Sequence, residues 1–235
     1  MNQELALLRF AAISLACGCS SAPISTMEGA GSSAAGSSAA GSSAAGSGGS
    51  APALVSEYVD YPPGPYGTAR GATIQNLEFL GWRHPDQANY DVTRFEKVRL
   101  SDFYNPDGRS DLKLLAVNAS AVWCTVCRAE YQDLNSSDTY ATLRPKGLEM
   151  LGALFEDVAY YPAQPADLAR WGETPAHAVK FPLVLDPGFK MGAYFDSDAT
   201  PLNLLIDVRT MTIVRITMGY SATYFSDVQS LLDKL

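Results

Sequence analysis

Apolar residues come in short bursts along the second half of the chain. LKLLAVNAS (112–120), LEMLGALF (148–155), FPLVLD (181–186), PLNLLIDV (201–208) and MTIVRITM (211–218) have the length of strands. The first two read as buried strands, because their apolar positions run together instead of alternating. Amphipathic stretches lie between them. TVCRAEYQDLNSSDTYATLR (125–144) has no Gly or Pro for nineteen residues before Arg144. Val126, Ala129, Leu134 and Leu143 share one helical face there, and Pro145 and Gly147 stop the helix. Residues 165–178 read as a second helix, with Pro165 near its start. Residues 222–235 form a terminal amphipathic helix, with Tyr224, Val228, Leu231 and Leu232 on one side.

Upstream, ATIQNLEFLGW (72–82) carries Ile74, Leu77, Phe79 and Trp82 and reads as an edge strand. EKVRLSDF (96–103) reads as a short strand running into a turn or a first helix, and NPDGRSD (105–111) is turn chemistry. The Pro- and Gly-rich stretch 58–71 predicts an extended arm wrapping the domain. The order is β–α–β–α–β, a loop, then β–β–α. Crossover helices require parallel neighbours, whereas the 201–218 pair is a hairpin. These rules predict an α/β fold with a mixed central sheet and helices on both faces, a three-layer α/β/α arrangement.

The N-terminal part carries no such pattern. MNQELALLRFAAISLACGCSSAP has Arg9 before the apolar run Phe10–Ala16 and resembles a bacterial export signal. The run is far shorter than the roughly 20 apolar residues of a transmembrane helix. SLACGC resembles the lipobox of bacterial lipoproteins, which makes Cys17 or Cys19 the candidate lipidation site. An ordinary signal peptide cleaved near Ala22 and a soluble N-terminus are the other readings. GSSAA then occurs three times in succession within residues 29–50. Such Gly/Ser/Ala sequence makes a flexible tether, spanning about 30 Å from Ser20 to Pro52. The expected organisation is a leader (1–22), a linker (23–53) and one domain (54–235) whose first part (54–111) is an N-terminal extension. Order should begin near Leu54.

The chain has 235 residues, 47% of them hydrophobic, enough to bury a large core. A net charge of −8 argues against a nucleic-acid binder, which needs a basic face. It also argues against attachment to anionic lipid by charge alone. Four cysteines are too few for a disulfide-dense scaffold.

The second cysteine pair holds the chemistry. In AVWCTVC (121–127), Cys124 falls where a buried strand hands over to a helix. A helix N-terminus offers unpaired N–H groups and a positive dipole end, and both stabilise a thiolate. Cysteines so placed have pKa values near 3.5–7.5. The spacing puts the second sulfur behind the first on the opening helical turn. Cys124 is the candidate nucleophile and Cys127 the resolving thiol. Arg128 adds positive potential or is simply solvated.

With those residues in place, the sequence resembles the thioredoxin-like superfamily, and within it the TlpA/ResA branch of bacterial extracytoplasmic thiol–disulfide oxidoreductases. VNASAVWCTVC (117–127) keeps Val117, Asn118, Trp123, Cys124 and Cys127 at that branch's spacing, and CRAE (127–130) matches the start of its active-site helix. KGLEMLGA (146–153), FPLVLDP (181–187) and DATPLNLLID (198–207) resemble its later strands. The resemblance covers roughly residues 70–235. It implies a cis bond at Thr200–Pro201, with Pro201 facing the disulfide and Thr200 shaping the contact with substrate. It implies no cofactor beyond a redox-active Cys124–Cys127 disulfide. The implied partners are protein thiols or disulfides of client proteins and an upstream electron donor or acceptor protein. The implied location is the cell envelope or periplasm, with the domain tethered to a membrane by the lipid anchor.

The match has departures. Ala119 and Ser120 replace the usual Phe-Trp. Thioredoxins proper carry a buried aspartate where Asn118 stands, so another proton acceptor is needed; Glu156 and Asp157 are candidates. A metal site needs three or four ligands, and the only histidines, His84 and His177, lie in distant segments. Peroxiredoxins place a threonine and a proline where Ala121 and Val117 stand here. A third alternative is a non-catalytic binding lipoprotein, in which Cys124–Cys127 is only a staple. So small a loop would stabilise little.

Overall fold

The structure is a computed structural model describing residues 60–173, 178–195 and 199–235. Cys17, Cys19, the leader, the repeat, the expected boundary near Leu54 and His177 lie outside the described residues. In chain order the strands are β1 (Glu78–Trp82), β2 (Glu96–Arg99), β3 (Leu114–Ala121), β4 (Leu148–Glu156), β5 (Leu183–Leu185), β6 (Leu202–Asp207) and β7 (Thr212–Met218). The helices are α1 (Thr125–Ser136), α2 (Thr139–Leu143), α3 (Pro165–Gly172) and α4 (Tyr224–Leu232).

All seven strands join one mixed sheet in the order β2-β1-β5-β4-β3-β6-β7. β3 sits inside it, parallel to β4 and antiparallel to β6. All eight of its residues are buried, as its unbroken apolar run requires. The β6–β7 pair is the expected antiparallel hairpin. The β3–β4 and β4–β5 crossovers step the same way across the sheet. Right-handed connection therefore places α1 and α3 on the same face. Tyr131 of α1 and Trp171 of α3 meet edge to face, ring centroids 5.2 Å apart. On the opposite face Phe155 of β4 stacks on Phe189, which leads into a 3-10 turn at Lys190–Tyr194. Helical elements thus cover both faces.

Three elements differ from the sequence expectation. The run 72–82 is not an edge strand. Its end, β1, lies inside the sheet between β2 and β5, antiparallel to both. Its start goes to the other side of the sheet, where Ile213 donates to the carbonyl of Ala72 and Thr73 bridges Thr212. The edge role passes to β2, which buries only Val98.

The helix after Cys124 is split. Asp138 adopts a left-handed conformation (φ +52°) between α1 and α2. Ser137 bonds back to the carbonyl of Asp133 through both its backbone N–H and its hydroxyl. Such short polar side chains compete with helix continuation. The buried face of α1 is Cys127, Glu130, Tyr131 and Leu134, while Val126 and Ala129 are exposed. Finally, α3 ends at Gly172, with Glu173 as its C-cap. It is therefore shorter than the stretch 165–178, of which 174–177 lie outside the described residues.

Candidate active site

β3 delivers the chain to α1 through a tight turn. Cys124 donates its backbone N–H to the carbonyl of Ala121, and Val122 donates its own to that of Glu156. Cys124 is the N-cap of α1, and its sulfur accepts the backbone N–H of Cys127 at 3.0 Å. The two cysteines are joined by a disulfide. Cys124 keeps 4% of its surface exposed and Cys127 none, so an incoming group reaches Cys124 first. A second donor comes from the loop before β6. The Thr200 hydroxyl lies 3.2 Å from the Cys124 sulfur and donates to it, and the Thr200–Pro201 bond is cis. Helix end and hydroxyl both favour negative charge on that sulfur once the disulfide opens.

Trp123 flanks the pair. Its indole N–H donates to Glu156 Oε2 at 2.8 Å, and its ring stacks on Tyr160 at 5.1 Å. Tyr160 belongs to a turn held by Asp157, whose Oδ1 accepts the backbone N–H groups of Ala159 and Tyr161. Beneath α1 lies a buried polar cluster. Asn118 Nδ2 donates to Glu130 Oε2 at 2.8 Å and to Asn203 Oδ1 at 2.9 Å. Asn203 Nδ2 donates to Glu130 Oε1 at 2.8 Å, and Ser120 donates to Asn118 Oδ1 at 2.6 Å. Asn118 and Asn203 are register partners on β3 and β6, so one face of the sheet presents both amides to the helix. Burial pushes the Glu130 carboxyl up to about 7, opposed by the two amide donors.

No protein-family model matches the chain, and no curated protein matches it. Solved structures do. A protein assigned as the thiol:disulfide interchange protein DsbE from Chlorobium tepidum superposes with a TM-score of 0.52 at 15% identity, covering 72% of this chain and 98% of that one. The thioredoxin domain of a thiol-disulfide oxidoreductase from Bacteroides vulgatus gives 0.51 at 16%, covering 71% and 99%. A reduced 2-Cys peroxiredoxin from Plasmodium vivax also gives 0.51 at 16%, covering 70% and 94%. The chain has a thioredoxin-like fold.

In this thioredoxin-like fold Cys124, Cys127, Trp123, Thr200, Pro201 and Glu156 gather at one end of the central strands. Asn118 lies deeper, under α1. Both candidate proton acceptors have other partners: Glu156 holds Trp123, and Asp157 holds the turn that follows β4. Glu130, Asn203 and Ser120 were not among the site candidates drawn from the sequence. Two signals pointed to them: a glutamate three residues after Cys127, and an asparagine inside the apolar run of β6. Among the described residues, no group of three or more His, Cys, Asp or Glu lies together, and no helix is long and apolar enough to cross a membrane.

Proposed function

We propose that the protein is a thiol–disulfide oxidoreductase that exchanges its Cys124–Cys127 pair with protein substrates through a mixed disulfide. One observation carries this reading. The sulfur of Cys124 sits at the N-cap of a twelve-residue helix, takes two hydrogen bonds, and has its partner sulfur directly behind it. When the protein is oxidised, a substrate thiolate attacks Cys124. The Cys124–Cys127 bond breaks, and Cys127 leaves as a thiolate that takes up a proton. A second substrate thiolate attacks the substrate sulfur of the mixed disulfide and releases Cys124. Two electrons have then moved from substrate to protein. In the opposite direction the Cys124 thiolate opens a substrate disulfide, and Cys127 attacks Cys124 to release the reduced substrate.

Glu130 is the group we assign to the Cys127 proton. It lies one helical turn along the same buried face of α1, and its pKa near 7 lets it give and take a proton near neutrality. The leader supports export and lipid anchoring at Cys17 or Cys19, with the Gly/Ser/Ala tether holding the domain off a membrane. An electron donor or acceptor protein completes the cycle.

The test is reduction of insulin, or refolding of a scrambled protein, with wild type and Cys124→Ser. Equal activity in both overturns the reading. Cys127→Ser should accumulate covalent mixed disulfides, visible on non-reducing gels. The reduction potential of the pair decides the direction of flow. Mass spectrometry of the mature N-terminus decides the anchor.

A further inference from the structure

A cleft of about 340 Å³ opens between α1 and α3, beside the cysteines. It is lined by the buried rings of Tyr131 and Trp171, by Val122, Val158 and Val179, and by Gln132 on the exposed side of α1. Val122 lies two residues before Cys124, and Arg128, on the rim, one residue after Cys127. Arg128 is fixed there. Its guanidinium donates to the carbonyl of Val122 at 2.9 Å and lies 5.7 Å from the centre of the Trp171 ring.

The cleft continues into an exposed apolar turn. Val158, Tyr160 and Tyr161 are 71%, 66% and 68% exposed within four consecutive residues. They are held in place: the Asp157 carboxylate ties the backbone, and Tyr160, in a left-handed conformation, stacks on Trp123. Large apolar side chains fixed in solvent next to a cleft mark a binding surface.

We infer that this cleft and turn bind an extended, apolar segment of the substrate protein, seating one aromatic or branched aliphatic side chain that lies within a few residues of the reacting cysteine. The inference rests on the redox reading above. Exchange forces a substrate cysteine onto Cys124, so the substrate chain on either side must cross the neighbouring surface. The cleft is the apolar part of that surface, and its size suits one or two side chains. Charge narrows the occupant further. Arg170 on the rim is paired with Asp167, whereas Arg128 has no carboxylate partner among the described residues. The rim of the cleft is therefore cationic at Arg128, which favours a neutral or acidic residue there, whereas the Glu156 and Asp157 carboxylates at the turn favour a neutral or basic one on that side.

The test uses two fluorescent ten-residue peptides that differ only near the cysteine position, one carrying Phe and the other Ser. For binding, that cysteine is replaced by serine, and anisotropy is read with the oxidised protein. The Phe peptide should bind at least tenfold tighter than the Ser peptide. Val158→Asp, which changes an exposed side chain, and Gln132→Trp, which plugs the cleft from the exposed side of α1, should each bring that ratio close to one. Equal binding of the two peptides by wild type overturns the inference. So does a preference that survives both substitutions. Binding needs no electron transfer. A protein that discriminates the peptides but fails to exchange with their cysteine forms counts against the redox reading alone.

Discussion

Thr200 donates its hydroxyl to the sulfur of Cys124 at 3.2 Å, from 76 positions further along the chain. A hydrogen bond to a charged acceptor contributes about 1.5–3 kcal/mol, more than one to a neutral acceptor, so the contact favours the thiolate. Thr200→Val keeps the shape and removes the donor. The Cys124 pKa should rise by about one unit, read from thiolate absorbance against pH in the reduced protein. The reduction potential of the pair should fall by about 30 mV, because the reduced form loses stabilisation. An unchanged pKa would mean that the hydroxyl turns away when the disulfide opens.

Glu130 makes stability depend on pH. Its carboxyl titrates near 7 in the fold, against an ordinary value of 4.5. Between those values the folded protein holds the proton more tightly than the unfolded chain. The contribution of Glu130 to stability therefore falls as pH rises through that window and is constant outside it. The loss is about 3 kcal/mol. Glu130→Gln cannot titrate and should lack this component. Urea unfolding of the two oxidised proteins at pH 4.5 and pH 8 measures the difference; equal slopes would assign Glu130 an ordinary pKa.

Gly152 of β4 pairs with Asn118, and Tyr131 comes down on it from α1. A Cβ at this position would collide with the Tyr131 hydroxyl and sit 2.8 Å from the Leu183 side chain. Gly152→Ala should therefore push α1 off the sheet and cost about 3 kcal/mol, at the upper end for overpacking. Chemical denaturation gives the loss directly. A neutral substitution would show that Tyr131 swings aside freely.

Asp157 is the pin of the aromatic turn. Asp157→Ala removes the acceptor for two backbone N–H groups in an exposed loop, which costs about 1 kcal/mol. The larger effect should be local. Tyr160 loses its fixed place on Trp123, and the indole emission should shift and broaden. Emission identical to wild type would place the rigidity of the turn elsewhere.

The parts of this molecule that were legible in the sequence are those where one signal has one physical cause. The apolar run of β3 has to be buried on both faces, and the cysteines follow it by position alone. Thr200–Pro201 was legible only through the resemblance. What escaped depended on contacts between distant segments. Nothing within EFLGW says that it pairs with both β2 and β5, because pairing partners leave no local mark. The break at Asp138 was hidden in the Ser-Ser-Asp stretch, a weak signal beside the absence of Gly and Pro. Glu130 was visible only as the last residue of CRAE, with no local mark of its burial. Only the register of β3 and β6, which sets Asn118 beside Asn203, reveals that its carboxylate is received by two amides.

Placing β1 inside the sheet has a consequence for behaviour at high concentration. It leaves β2 as the outer strand, and β2 reads Glu-Lys-Val-Arg. Three of its four side chains carry charge, and Glu78 of β1 answers Lys97 and Arg99 across the pair. A short strand armed this way is a poor template for a neighbouring chain, since edge-to-edge pairing would strip water from those charges. The short apolar β5, which would otherwise end the sheet with bare backbone, is thereby kept from sticking to other copies.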